Sequence, residues 1–253
     1  MDTATTRPGP ADLAITRAMG YTLLAHAFAY PDEAGVATMR EVAAMAATAL
    51  ESTPLAELCA LAAQATAEEL EAVYVHVFTV GYSPDCPTFE TAYLATDLIQ
   101  QTNRMADIAG FYRAFGVEGT SGGFRPDDLS VELEFMAFLC QKQAYAAEHL
   151  PAARVAESKR AQRMFLREHL GRWGSGAGAR VSACAGPGSF YGAAGRVLGA
   201  WIADDARRIK TGHIEPVSAP AQEWERPEES GDEDVAEAQV IEFDEIATEV
   251  GSL

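Results

Sequence analysis

The sequence predicts an all-α fold, and three observations carry that reading. Apolar residues recur at three- and four-residue intervals in one segment after another. No stretch alternates polar and apolar residues for long enough to build a sheet. Prolines 31, 54 and 151 stand at the edges of the periodic segments, where a missing backbone N–H is tolerated. The predicted architecture is a single helical-bundle domain of about eight to ten helices over 12–210, between an N-terminus at 1–11 without structure and an acidic C-terminal tail.

Taken in order, the first helix runs from Asp12, a candidate cap, through Leu13, Met19, Leu23, Leu24, Ala27 and Phe28, and Pro31 ends it. An alanine-rich helix follows over 34–50, and a third over 54–64 with Pro54 in its first turn. Residues 67–79 make the fourth, with Leu70, Val73, Tyr74 and Val77 on one side. "GYSPDCPTFETAY" then interrupts the pattern, and a long helix is expected over 89–115, stopped by Gly116. After a glycine-rich connector, Asp127 or Asp128 caps a helix that runs to His149. Pro151 opens another to Leu170. "GRWGSGAGAR" is weakly patterned, with at most a short helix at 177–185. The last core helix spans 189–209, and its three internal glycines, at about 1 kcal/mol each against alanine, imply close helix packing.

The tail from 211 to 253 differs in kind. It holds thirteen acidic residues against Arg226 alone, about two thirds of the net charge of −18. Most of it is expected to be disordered, with a short helix at 240–250. A balance this acidic argues against a nucleic-acid binder, because phosphate backbones need lysine and arginine for neutralisation. The N-terminus lacks a basic-then-apolar leader and no run of about 18 apolar residues occurs, so a cytoplasmic protein is expected. Cys59, Cys86, Cys140 and Cys184 show no CxxC spacing, so neither a zinc site nor a dithiol is readable. Cys140 is expected in the core and Cys86, before a proline, at the surface.

The candidate site centres on "FRPDDLSVELEFMAFL", where two aspartates meet an apolar helix. One carboxylate is explained by helix capping. The second, with Glu132 four residues on, makes an acidic cluster that could hold a metal or a guanidinium, or face solvent. None of the histidines at 26, 76, 149, 169 and 213 has metal-ligand spacing to it. No P-loop or GxGxxG is present. Phe89, Glu90 and Tyr93 form a second candidate, an ordinary helix start or the edge of a peptide groove.

Three stretches in this order, "CPTFETAY", "MADIAGFYRAFGV" and "RPDDLSVELEFMAFL", resemble the redox-enzyme maturation chaperones of the TorD/DmsD/NarJ type. Pro87, Glu90 and Tyr93 fit the family's P-x-x-E-x-x-Y loop, and Tyr112, Phe115 and Gly116 its Tyr-x-x-Phe-Gly helix end. Pro126, Asp127, Leu129, Glu132, Leu133, Glu134, Phe135 and Met136 fit its third motif, with Asp128 where the family commonly has histidine. The resemblance implies an all-helical protein that is not an enzyme and carries no cofactor or metal. It implies a dedicated chaperone for the catalytic subunit of a dimethyl-sulfoxide-reductase-class molybdoenzyme, held during molybdopterin insertion, with its twin-arginine signal as a further ligand. The chaperone would be a monomer or a domain-swapped dimer. The client site expected from it comprises Phe89, Glu90, Tyr93, Tyr112, Phe124, Pro126, Asp127, Asp128 and Glu132. The carboxylates would meet cations and the aromatics an apolar stretch. Two alternatives remain: a metal-dependent all-α enzyme using Asp127, Asp128 and Glu132, and an interaction protein acting through the acidic tail.

Overall fold

The computed structural model describes residues 9–78, 85–117 and 125–221, all within one unit of the chain, Met1–Glu223. Ten α-helices occupy the described residues, with no strand among them beyond one isolated bridge. They are α1 (Pro10–Phe28), α2 (Glu33–Leu50), α3 (Ala56–Ala62), α4 (Ala67–Phe78), α5 (Glu90–Leu94), α6 (Leu98–Ala114), α7 (Leu129–His149), α8 (Ala152–Glu168), α9 (Leu170–Ala185) and α10 (Phe190–Ile209). The expectations for 1–8 and for most of the acidic tail, 222–253, lie outside the described residues.

α1 is apolar nearly all round because it is the central helix, packed most extensively on α7 and also on α2 and α10. Gly20 lets this approach happen: a Cβ there would lie 2.5 Å from the ring of Trp201 on α10. One polar knot pins the two helices. Arg17 donates through Nε and a terminal nitrogen to Asp205 at 2.5 and 2.8 Å, and Tyr21 donates to the same carboxylate at 2.7 Å, all buried. Such a pair fixes register more than it adds stability.

Local chemistry sets the helix ends. α1 begins before Asp12, which sits in the first turn and accepts from Gly9 N–H at 2.9 Å instead of capping. Asp32, Asp97, Asp128 and Ser189 cap α2, α6, α7 and α10 by accepting first-turn N–H groups. The single helix expected over 89–115 is two. Ala95 is extended and buried, and Asp97 restarts the helix by accepting from Gln100 N–H at 2.8 Å.

The glycine-rich segment is a full helix, α9, rather than a short one at 177–185. It was hidden because glycine lowers helix propensity, and its reason is packing. α9 and α10 cross so closely that a Cβ at Gly178 would lie 2.5 Å from Gly195 O, while one at Gly195 would run into Gly178 O. Residues 211–221 lie across α9 without regular structure. Val217 N–H donates to Arg172 O at 2.7 Å, and Ala221 N–H to Ala92 O on α5 at 2.8 Å. Gly171 and Gly176 leave room for Ile214 and the Val217–Ser218 backbone. Cys140 is in the core as expected, but Cys86 is buried too, against expectation, because its loop folds in under α9. No described helix is long and apolar enough to cross a membrane.

The close crossing sets a stability test. Gly195→Ala is expected to lower unfolding free energy by about 1–3 kcal/mol, because its new methyl meets backbone. Gly199→Ala, whose Cβ has 3.7 Å of clearance, should be neutral or stabilise by up to about 1 kcal/mol. Urea denaturation of both variants decides.

Candidate functional site

The two motif loops meet. Residues before α5 pair antiparallel with those before α7 at Phe89 and Asp128. Glu90 N–H donates to Asp127 O at 2.8 Å, and Leu129 N–H to Thr88 O at 2.7 Å. This short clasp explains the adjacent aspartates: each caps a different helix. Asp127 reaches back along the chain to α5, accepting from Thr91 N–H at 3.2 Å and Thr91 Oγ1 at 2.7 Å. Arg125 forks onto both oxygens of the same carboxylate at 3.0 Å and donates to Thr91 Oγ1 at 2.8 Å. Asp128 turns forward and accepts from Ser130 N–H at 2.9 Å and Ser130 Oγ at 2.6 Å.

Aromatic residues of both motifs brace the clasp. Tyr93 donates to Pro87 O at 3.2 Å, and Tyr112 on α6 donates to Pro126 O at 2.7 Å. The Arg125 guanidinium lies 4.4 Å from the centre of the Phe89 ring. The Tyr93 ring packs on Trp173 of α9.

Beneath the clasp lies a layer of buried charge. Glu90 has no exposure. It accepts from Arg104 at 3.0 Å and faces His169 Nδ1 at 3.1 Å. His169 stands at the α8–α9 junction, with its Nε2 3.7 Å from Asp107. Glu132 is also fully buried; Trp173 Nε1 donates to one oxygen at 3.3 Å and the other has no partner. Burial, then the nearby Glu90 charge, pushes the Glu132 carboxyl well above its ordinary 4.5, against the Trp173 hydrogen bond. Asp128 is raised too, by burial, with the Ser130 hydrogen bonds opposing.

Next to this layer, α6 and α8 diverge and leave a groove of about 420 Å³. Phe111, Phe115, Ala161 and Met164 give it an apolar lining, and Asp107, Glu157 and Arg160 are its charged residues. Phe111 connects it to the charge layer through an edge-on contact with His169. Leu98 and Ile99 are exposed at the start of α6, outside that lining.

The structure thus gathers the predicted residues in one place, but not as an open acidic edge. Glu90, Tyr93, Tyr112, Asp127 and Glu132 are buried, and each has a partner inside the protein. Phe89, Pro126 and Asp128 are half-buried, and Phe124 lies outside the described residues. Among the described residues no three His, Cys, Asp or Glu side chains converge as metal ligands. Asp127, Asp128 and Glu132 serve three separate sets of partners, so the metal-enzyme alternative is not favoured. Sequence reasoning missed Thr91, Arg104, Arg125, His169 and Trp173. Only Arg125, two residues before Asp127, offered a local signal.

The family described as nitrate reductase delta subunit matches residues 39–176, just over half the chain and inclusive of the clasp and both groove walls. A perchlorate reductase assembly chaperone protein of Dechloromonas aromatica (strain RCB) is 35% identical over 111 residues, 42% of this chain and 46% of that protein. The match thus spans about half the length of that curated relative.

Three stability predictions rest on these carboxylates, each read from urea denaturation. Asp127→Ala strands Arg125 and the α5 cap, and should cost about 3–5 kcal/mol. Asp128→Ala removes one cap, at about 1 kcal/mol. For Glu132, the folded state holds the proton more tightly than the unfolded chain, so this residue lowers stability progressively as pH rises above about 4.5. Glu132→Gln should therefore match the parent near pH 4 and exceed it increasingly toward pH 8, read from urea midpoints across that range.

Proposed function

This chain belongs to the nitrate reductase delta subunit family, and on that premise we propose that it is a dedicated assembly chaperone for a molybdenum oxidoreductase. It binds the apo catalytic subunit of a dimethyl-sulfoxide-reductase-class enzyme in the cytoplasm, holds it during molybdopterin insertion, and performs no chemistry itself. The cofactor belongs to the client. A relative described as a perchlorate reductase assembly chaperone supports this reading.

One observation carries it: an apolar groove sits beside a clasp whose polar groups are already engaged. A carboxylate engaged as Asp127 is, by Thr91 and Arg125, holds loops in place. The groove, by contrast, has an apolar lining unfilled by the side chains of the described residues. Its occupant is an N-terminal apolar segment of the client, bearing cations at one end, as a twin-arginine signal does. Asp107, which is 72% exposed, and Glu157 offer charge to those cations, while Arg160 on the same rim biases which end they occupy. The half-exposed Phe89, Pro126 and Asp128 are a second contact for the client, with Glu90, Tyr93, Tyr112, Asp127 and Glu132 fixing their positions from beneath. Both surfaces lie within one chain, so a monomer suffices.

Micromolar affinity needs about −8 kcal/mol. Burying a few large apolar side chains, at about 1.5–3 kcal/mol each, supplies that gross amount. Exposed ion pairs add under about 1 kcal/mol each and set orientation.

The decisive variant blocks the groove without touching the core. Ala114 is exposed on its wall, so Ala114→Arg should leave the fold intact. It is expected to weaken binding of the co-expressed catalytic subunit at least about tenfold, while Asp107→Asn weakens it less than about fivefold. Calorimetric titration with the purified subunit and its N-terminal peptide measures both. Parent-like affinity in the Arg variant would move the site elsewhere.

A further inference from the structure

We propose that Cys86 and Cys184 form a reactive dithiol, which a hydroperoxide converts into an intrachain disulfide that ties the clasp loop to α9. The two residues are far apart in sequence, and folding brings them together. Arg180 Nε donates to Asp85 O at 2.7 Å, which seats the Cys86 loop on α9. Cys184 follows Arg180 by one helical turn on the same side. There it lies beside the Cys86 loop, close enough for the two thiols to act on each other.

The two thiols have different exposures, as a sensing pair requires. Cys184 is exposed and meets the oxidant, whereas Cys86 is 1% exposed. Burial, then the adjacent Cys184, raises the Cys86 thiol, so Cys184 is the sulfur that reacts first with the oxidant. In the first step the Cys184 thiolate attacks a peroxide oxygen. The O–O bond breaks, Cys184 becomes a sulfenic acid, and an alcohol or water leaves with the thiol proton. In the second, Cys86 sulfur attacks Cys184 sulfur. The S–O bond breaks, and hydroxide leaves as water with the Cys86 proton. Two thiols lose two electrons in total and one peroxide gains them.

The bond lands where it matters for the site. Cys86 precedes Pro87, whose carbonyl holds Tyr93, and Thr88 and Phe89, which pair with the α7 loop. Cys59 and Cys140 are buried, Cys140 against Gln162, and are out of reach of oxidant.

The test uses the full folded chain and hydrogen peroxide, with thiol counting and non-reducing peptide mass mapping. The expected result is loss of two of the four thiols, a mass lower by two hydrogens, and one linked pair of peptides carrying residues 86 and 184. The melting temperature should rise and dithiothreitol should reverse both changes. Cys184→Ser, a change at an exposed position, should abolish the bond. Cys86→Ser should instead accumulate oxygen on Cys184. Sulfinic acid on Cys184 of the parent with Cys86 untouched, or equal thiol loss in parent and Cys184→Ser, would overturn the proposal.

Discussion

A carboxylate with no exposure to water must find its hydrogen bonds inside the protein, and Asp127 finds four: two from Thr91 and two from Arg125. The geometry near the candidate site depends on that arrangement. Thr91 lies in the five-residue α5, too short to persist on its own. Asp127 supplies its N-terminal cap from a distant loop, and the main-chain pairing of Phe89 with Asp128 holds the loop at that distance. Without the cap, α5 loses its start, and Glu90 and Tyr93 lose the backbone that aims them at Arg104, His169 and Trp173.

The same economy governs α6. Its only buried side chains are Ile108 and Tyr112, a thin apolar anchor for a 17-residue helix. Polar ties make up the difference. Arg104 donates to Leu94 O at 2.9 Å and to Glu90, Tyr112 donates to Pro126 O, and Asp107 lies near His169. A helix held this way opens more readily than one held by a full apolar stripe. It is also one wall of the groove, so the element proposed to meet the client is among the most weakly buried in the bundle.

Much of the fold was legible because period and punctuation agree. Helices α1, α2, α4, α7, α8 and α10 were readable within a few residues from apolar spacing and from Pro31, Gly116, Asp128 and Pro151. The break at Ala95 was written too, as Asp97 followed by Gln100, but continuous apolar spacing on both sides masked it. α9 escaped because its glycines read locally as a loop, whereas their purpose is contact with α10 and with residues 214–218. The site was half legible. The motif residues do come together, and capping, expected for one aspartate, accounts for both. What spacing could not convey is burial: Asp127 meets a threonine 36 positions earlier, Glu90 a histidine 79 positions later, and Cys86 a cysteine at the far end of α9. Such pairings exist only once the helices have packed.

Asp128 stands where related chaperones commonly carry histidine, and the structure limits what that exchange alters. Its pairing with Phe89 is made by main chain, so it survives any side chain at this position. The Asp127 network does not pass through it. What the aspartate adds is two bonds from Ser130, a longer one from Thr88 Oγ1 at 3.5 Å, and negative charge at the positive end of α7. Aspartate is among the better N-caps and histidine is not. The exchange therefore stiffens the start of α7 and makes the half-exposed loop face more negative, while the scaffold that positions this face stays as it was. In this chain, then, the side chain at 128 can change while the Asp127 network stays intact, because the half-exposed residue and the residue that carries the structure are adjacent but separate.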